Sequence, residues 1–539
     1  MEWWNLPTFR PVARFQFQVL DEMAMIRTFY QALLVVFLFL QMAVSVQGET
    51  REIRILHLND FHGFAEPYQP LGSEELVGGI AYLASEVNRL RQEKPALLLA
   101  AGDMIQGNNW ANLFQGQSVI ELMNLMRFDG AVVGNHEFDF GQEVLKKRVS
   151  EATFPFLGAN VKGIEGLKSY VLREINGIRV AIIGVVTEDA PVSTSPKNVM
   201  GLEFLSPVST VEKYVGELKG EADLILILSH VGFLGDRRLA EAVKGIHVIV
   251  GGHSHTKVLK PVTVGGTLIV QAWEHGKALG VLDLTLEDGK VIKWDGHLEE
   301  IKPGQGEEDP RVQVLVERYR QKVDLFLNVH VGETEVDLDG EHVRRRETNL
   351  GDFIADVMRE ASGADVAIIN GGGIRTSLRQ GALKVKDIYS ILPFDNYIVS
   401  IRLTGRQIQE ALEYGLSGIE EEAGRFPQVS GLKISYTPSA PVGSRITEVL
   451  IRGRPIDPEM EYQVATNDFM AAGGDGYRAF GEAIRSSKGF EVVGGMMKGS
   501  KVVYCDAGRW IRDVVIDYIR KKERVSPQVE DRIVEVNRR

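Results

Sequence analysis

The pattern of apolar and polar positions divides the chain into two halves of one type. From about Glu49 to Lys302, apolar runs of strand length alternate with helical periodicity, the mark of an α/β layer structure. Around Pro303 to Pro310 the sequence turns to PGQGEEDP, a loop composition. The charged amphipathic segment that follows, VQVLVERYRQKVDLFL, predicts one helix joining two domains. A second α/β pattern runs from about Val331 to the end. The expected layout is an export segment over 1–48, a first domain over 49–302, a linker and hinge helix over 303–330, and a second domain over 331–539. After Thr348, the residues Leu350, Phe353, Ile354, Val357, Met358 and Ala361 form a stripe expected to face the core.

One run breaks this alternation. Ala32 to Val46 (ALLVVFLFLQMAVSV) is continuously apolar, follows Arg27, and precedes the small residues Ala43, Ser45 and Gly48 around its end. That is the order of a signal peptide, and the run is shorter than the roughly 20 residues a membrane span prefers. The long stretch ahead of it points to Met23 or Met25 as the true start. Export to the periplasm or the extracellular space is expected, with an uncleaved anchor as the alternative and no stable span after cleavage. No cysteine follows the run and the polar EVNRR terminus lacks a GPI signal, so neither lipid anchor is expected.

Composition narrows the function. The chain has 539 residues, 44% of them hydrophobic and 25% charged, with a formal net charge of -12. That charge argues against a binder of nucleic-acid polymers, which needs a basic face, while leaving room for a small anion escorted by metals or arginines. The single cysteine, Cys505, excludes an internal disulfide and a cysteine-based zinc cluster. Nothing in the sequence sets the oligomeric state.

The chemistry gathers at the ends of five strand-like runs in the first half. IRILHLNDFHG ends with Asp60 and His62, and ALLLAAGD with Asp103. GAVVGNHEFD ends with Asn135, His136 and Asp139. ADLILILSH ends with His230, and HVIVGGHSH with His253 and His255. Strand ends in α/β folds hold sites because the sheet is rigid and the loops are free to vary. An all-nitrogen-and-oxygen donor set of this kind suits Zn²⁺, Mn²⁺ or Co²⁺. Single histidines away from such ends, namely His57, His247, His275, His297, His330 and His342, are expected to be structural.

The order D-x-H, GD, GNHE, SH, GHSH resembles the calcineurin-like metallophosphoesterases. That resemblance implies a four-layer αββα sandwich and two divalent ions. Asp60, His62, Asp103 and His255 would hold one ion, and Asp103, Asn135, His230 and His253 the other. His136, oriented by Asp139, would be the catalytic histidine. Two ions lower the pKa of a bound water and screen phosphate charge during in-line attack.

The second half carries RRRETNLGDFIADVM, INGGGIRTSL, DIYSILPFDNYIV, VSGLKISY and NDFMAAGGDGY. With these the chain resembles the 5'-nucleotidases, whose second domain is an α/β substrate-binding domain. The resemblance implies that Phe394 and Phe469 sandwich a base and that Asp475 takes the ribose hydroxyls. It further implies that Asn370 and Asn396 reach toward the nucleoside, that Arg344 and Arg375 meet the phosphate, and that one domain rotates on the other near Asp309 to Asn328. The expected activity is hydrolysis of nucleoside 5'-phosphates, with UDP-sugars as further substrates. A 2',3'-cyclic-nucleotide phosphodiesterase/3'-nucleotidase is built from nearly the same parts and stands as an alternative, as does a non-catalytic nucleotide-binding surface protein. The two phenylalanines argue against a third relative, the sulfur-oxidation thiosulfohydrolase.

Overall fold

The computed structural model describes residues 50–70, 73–287, 289–493 and 496–536. The apolar run over 32–46 read as an export signal lies outside them. Among the described residues no helix is long and apolar enough to cross a membrane.

The first half forms two six-stranded sheets. In the first, the parallel strands β1 (Arg51–Leu58), β2 (Ala96–Ala100), β3 (Gly130–Val132) and β4 (Phe156–Leu157) lie side by side, with the long hairpin Ala278–Glu287 and Lys290–Glu300 antiparallel at the β1 edge. In the second, Ile178–Val186, Leu224–His230, Val248–Gly251 and Thr267–Gln271 run parallel, flanked by Tyr170–Ile175 and Val262–Val264.

Three apolar cores separate the layers. Ile53, Ile55, Leu97 and Leu99 point from the first sheet into a core shared with Ile182, Leu226, Leu228 and Val250 of the second. Leu56, Leu58 and Leu98 point the other way, onto the helices Ile80–Glu93 and Gln117–Met126. On the far side Ile225, Ile227 and Ile249 meet the helices Pro207–Glu217 and Phe233–Ala242. The central parallel strands are largely apolar because both faces are covered, the expected signature of parallel sheets, with Arg54 and His57 of β1 as buried exceptions. The result is a helix–sheet–sheet–helix sandwich.

Helix Pro310–Leu327 begins where Asp309 accepts the backbone N–H groups of Arg311 and Val312, with proline in the first turn. Val312, Leu315 and Tyr319 join the core of the first half, and the Trp110 indole donates to Val316 O. Near its other end, Asp324 pairs with Lys386 at 2.8 Å.

The second half is built on a five-stranded mixed sheet in the order Pro427–Ser430, Val366–Asn370, Glu461–Asn467, Tyr397–Thr404, Val502–Trp510. Val366 and Ile368 face one core and Ala367 and Ile369 the other, so this sheet too is covered on both sides. Helix Asn349–Ser362 starts at the Thr348 cap and stops at left-handed Gly363. Its expected stripe is buried at Leu350, Phe353, Ile354, Val357 and Met358, while Ala361 is exposed, one residue before the helix ends.

Candidate active site

The site forms where the C-terminal ends of strands from both sheets of the first half meet. Asp60 and His62 follow β1, Asp103 follows β2, and Asn135 follows β3. His230 ends its strand in the second sheet, and His253 and His255 follow Val248–Gly251 there. Asp60, His62, Asp103, His253 and His255 all have left-handed φ, between 48° and 75°. That conformation costs an ordinary residue free energy and is held only where the surroundings fix it. Hydrogen bonds between the loops supply the fixing: Asp60 N donates to Gly102 O at 3.0 Å, and His62 N to Asp103 O at 3.0 Å.

Three groups of donor atoms converge: Asp60, His62 and His255 in the first, Asp103, His230 and His253 in the second, and His255, Glu274 and His275 in a third that shares His255 with the first. The His62 Nδ1–H donates to Gln106 O at 2.7 Å, and His255 Nδ1 bonds the Glu274 carboxylate. In its neutral form each ring so held presents an Nε2 lone pair, and these two atoms face one another at 3.4 Å. Asp60 Oδ1 is 3.3 Å from His255 Nε2. In the second group, His230 gives its Nδ1–H to Ala101 O at 2.7 Å. Among the described residues its Nε2 has no hydrogen-bond partner, although Asp103 Oδ2 is 3.1 Å away. The buried Asn135 Oδ1 is likewise without a partner.

Lone pairs aimed at one another repel unless a cation lies between them. Ligands about 2.0–2.2 Å from an ion such as zinc stand roughly 3 to 3.5 Å apart, which is the spacing here. The donor set thus fits divalent ions. Glycine makes the room: a Cβ on Gly134 would overlap both Asp103 Oδ1 and His230 Nε2. Burial pushes the Asp103 carboxyl up, but His230, His136 and His62 outweigh it and hold it well below the usual carboxylate range.

His136 stands beside these groups, its Nε2 4.0 Å from Asp103 Oδ2. Its Nδ1 bonds Asp139 Oδ2 at 2.6 Å, and Asp139 Oδ1 accepts from the Thr194 hydroxyl at 2.5 Å. Burial lowers the imidazole's pKa, but Asp139 and Asp103 more than offset it and raise the value above that of free histidine.

Residues of the second half close over this cluster. Arg375 Nη2 lies 3.1 Å from His62 Nε2, and its guanidinium sits 5.9 Å over the Phe394 ring. Phe394 in turn stacks on His136 at 5.8 Å. Burial and the neighbouring Arg344 push Arg375 down to about 10, which leaves it cationic at neutral pH. Arg344 is the inward member of its triplet; Arg345 and Arg346 are exposed. Asn370 is committed on both sides, its amide donating to Asp475 Oδ2 at 2.6 Å and its carbonyl accepting from Asn467 at 2.9 Å. Asp475 itself has left-handed φ of 50°, and burial raises its pKa. Phe469 lies on the short helix Asp468–Ala471 just ahead of the turn that carries Asp475, and a Cβ on Gly474 would overlap its ring. Asn396 and Phe394 line a small cavity with Gly373, Leu392 and Asn467.

Several residues that sequence reasoning passed over complete the site. Glu137, fully buried, accepts backbone N–H bonds from Asp103, Met104 and Gly134 at 2.9, 2.7 and 2.5 Å, fastening the β2 and β3 loops together. It is the last residue of the GNHE motif, and an acid next to His136 in a ligand-bearing loop was the available signal. Asn59 donates to Asp60 Oδ2 at 2.7 Å and to Trp273 O at 2.6 Å. His275, expected to be structural, lies at the edge of the cluster with its ring 5.8 Å from His62 and stacked on Phe64 at 3.9 Å. Arg512 holds the LPFDN turn through the carbonyls of Pro393 and Phe394 at 3.3 and 3.0 Å. Thr194 and Arg512 had no signal in the sequence because their partners lie far away along the chain.

Comparison with known proteins agrees with this geometry. The calcineurin-like phosphoesterase family matches residues 53–257 and the 5'-nucleotidase C-terminal domain matches residues 330–482. The chain is 30% identical to the snake venom 5'-nucleotidase of Naja atra, over 90% of this chain and 98% of that protein. It is 33% identical to the trifunctional nucleotide phosphoesterase protein YfkN of Bacillus subtilis over 90% of its own length, and spans 35% of that longer protein. The crystal structure of a 5'-nucleotidase precursor from Thermus thermophilus superposes with a TM-score of 0.82 at 33% identity, covering 90% of this chain and all of that one.

Proposed function

We propose, for a chain that belongs to the 5'-nucleotidase family of metal-dependent phosphomonoesterases, that its substrates are nucleoside 5'-phosphates, released as nucleoside and phosphate. The observation that carries this reading is the meeting of the two halves. Arg375 and Phe394 of the second half lie against His62 and His136 of the first, so a substrate held by one is presented to the other.

In this reading Asp60, His62, Asp103 and His255 hold one divalent ion and Asp103, Asn135, His230 and His253 a second, zinc, manganese or cobalt by donor type. Such a pair supplies an activated water and charge screening for in-line attack. The chain's own groups do the rest. Arg375 and Arg344 bring positive charge to the phosphate, and the water-poor setting strengthens that attraction. His136, held by Asp139 with its Nε2 toward the cluster, donates a proton or hydrogen bond to the phosphoryl or leaving oxygen. Phe394 and Phe469 offer flat apolar faces to the base, and Asp475 accepts from the ribose hydroxyls. The proposed domains are 49–302 and 331–539, with 303–330 as the hinge on which they open and close. Residues 1–48 are proposed to direct export.

A screen for phosphate release over 5'-AMP, 3'-AMP, 2',3'-cyclic AMP and UDP-glucose tests the substrate. The expected result is the highest kcat/KM for 5'-AMP. The likeness to a protein named as a trifunctional nucleotide phosphoesterase favours a second reading, in which cyclic and 3'-phosphates are also cleaved. A preference for either of those over 5'-AMP would replace the first reading with the second.

A further inference from the structure

The ligand histidines are not held alike. His62 and His230 give their Nδ1–H to main-chain carbonyls, Gln106 O and Ala101 O, both at 2.7 Å. Their side chains are 1% and 0% exposed, so packing alone leaves the rings no freedom. His255 is 16% exposed and has no such carbonyl; its Nδ1 meets the side-chain carboxylate of Glu274. The other Glu274 oxygen accepts from Lys277 Nζ at 2.7 Å. The segment that carries both residues is fastened to the same side of the cluster. Asn59 Nδ2 donates to Trp273 O at 2.6 Å, and His275 N donates to Asp60 O at 2.8 Å. Trp273 and His275 take left-handed φ of 65° and 55° on either side of Glu274, which aims its side chain inward.

Resting on the two-ion reading above, we propose that Glu274, anchored by Lys277, is the positioning residue that makes His255 a metal ligand. The ion held with Asp60 and His62 then depends on Glu274, and the ion beside Asn135, His230 and His253 does not. A carboxylate on Nδ1–H fixes the imidazole tautomer, stops rotation of the ring, and strengthens the Nε2 donor. Loss of such a partner commonly weakens metal binding about 10- to 100-fold.

The test measures binding and not turnover. Zinc-loaded wild-type protein and Glu274→Gln are titrated with a competing chelator, and the same proteins loaded with cobalt are followed by their visible absorption. Glu274→Gln should lose affinity for one of two zinc ions by about 10- to 100-fold and keep the other within about twofold, with a change in only part of the cobalt spectrum. Retention of both ions at wild-type affinity would overturn the proposal, and so would equal weakening of both, which would make Glu274 a general support of the fold. In either case a wild type that binds two ions and hydrolyses 5'-AMP leaves the functional reading standing; a wild type that binds fewer than two overturns both. Should Glu274→Gln fail to fold, Lys277→Met takes its place. A smaller loss confined to one ion supports the proposal, and no selective loss overturns it.

Discussion

The half of the cleft that carries the proposed metal ligands draws its side chains from five strand ends in two packed sheets. Asp60, His62, Asp103, Asn135 and His230 are buried to 2% exposure or less. The facing half draws mostly from loops and short helices, and there Arg344, Phe394, Asn396 and Phe469 remain half-buried, as His253 and His255 do in the first half, while Asn370 at a strand end is buried. The backbone differs in the same sense. Five proposed ligands of the first half sit at left-handed φ, against Asp475 alone among the proposed substrate contacts of the second. Strain is kept where atoms must be in place before the substrate arrives, since reaction demands near-attack geometry. Recognition tolerates slack, because substrate binding itself orders the half-exposed side chains. Damage to the first half should therefore remove chemistry on every substrate, and damage to the second should remove preference for one.

The change expected to cost most is Asp103→Asn. It deletes the one carboxylate placed between the first two donor groups, with Oδ2 3.1 Å from His230 Nε2 and 4.0 Å from His62 Nε2. Turnover should fall at least about 10³-fold on 5'-AMP and on p-nitrophenyl phosphate alike. Full activity in the purified, metal-loaded variant would refute the bridging role. His136→Asn comes next. It should lower kcat roughly 10²-fold on both substrates, within the range for acid–base groups. Metal content, read by elemental analysis, should stay at the wild-type level; if metal leaves with activity, His136 is a ligand.

Phe469→Ala probes the other half. Stacking of one base contributes about 1 to 3 kcal/mol in comparable settings, so kcat/KM for 5'-AMP should drop on the order of tenfold to a hundredfold. The aryl phosphate, which leans on the metals, should change far less. Equal losses on both substrates would mean that Phe469 supports the fold, and the contrast between the halves would go with it.

How much of this was legible beforehand follows the same division. The five strand ends stood out because β-strands in covered parallel sheets are continuously apolar, so a polar residue at a run's end marks a loop by contrast. ILSH is readable on that ground alone, whereas LHLNDFH also carries His57 inside the strand and needs the D-x-H spacing as well. The layered fold was legible for the same reason. The left-handed φ of Asp60 or His255 was not, since aspartate and histidine adopt ordinary conformations equally well and only the surrounding loops decide. Nor were the residues that hold ligands from behind. Glu274 lies 19 positions from His255, and Thr194 lies 55 positions from Asp139. A pairing that tertiary contact creates leaves no spacing to read. Asn370 shows a subtler limit: its placement near the nucleoside site was legible, but its amide is spent on Asp475 and Asn467, so it acts through Asp475 in this structure.

The smallest effect on turnover is expected at His57, which lies on β1 shortly before Asn59 and separates the fold of the first half from its chemistry. The residue is 1% exposed, its Nδ1 has no hydrogen-bond partner among the described residues, and a Cβ on Gly280 would overlap its ring. Burial lowers its pKa to about 3, because the charged form would lose its water with nothing to replace it. In the unfolded chain the same imidazole titrates near about 6.5. Protons therefore bind the unfolded state more strongly, so the contribution of His57 to stability is complete above about pH 6.5 and is lost progressively as the pH falls toward about 3. His57→Leu, which keeps an apolar side chain in the same space, should leave kcat on 5'-AMP at neutral pH within about twofold. In chelator-treated protein, where the ligand histidines carry no ion in either form, denaturant midpoints should fall less steeply between about pH 6.5 and 4 in the variant than in the wild type. Parallel acid limbs would show that His57 finds a partner for its charge when protonated. A loss of turnover at neutral pH with the acid limb unchanged would show instead that β1 must keep this imidazole to aim Asp60, and that fold and chemistry are not separable along this strand.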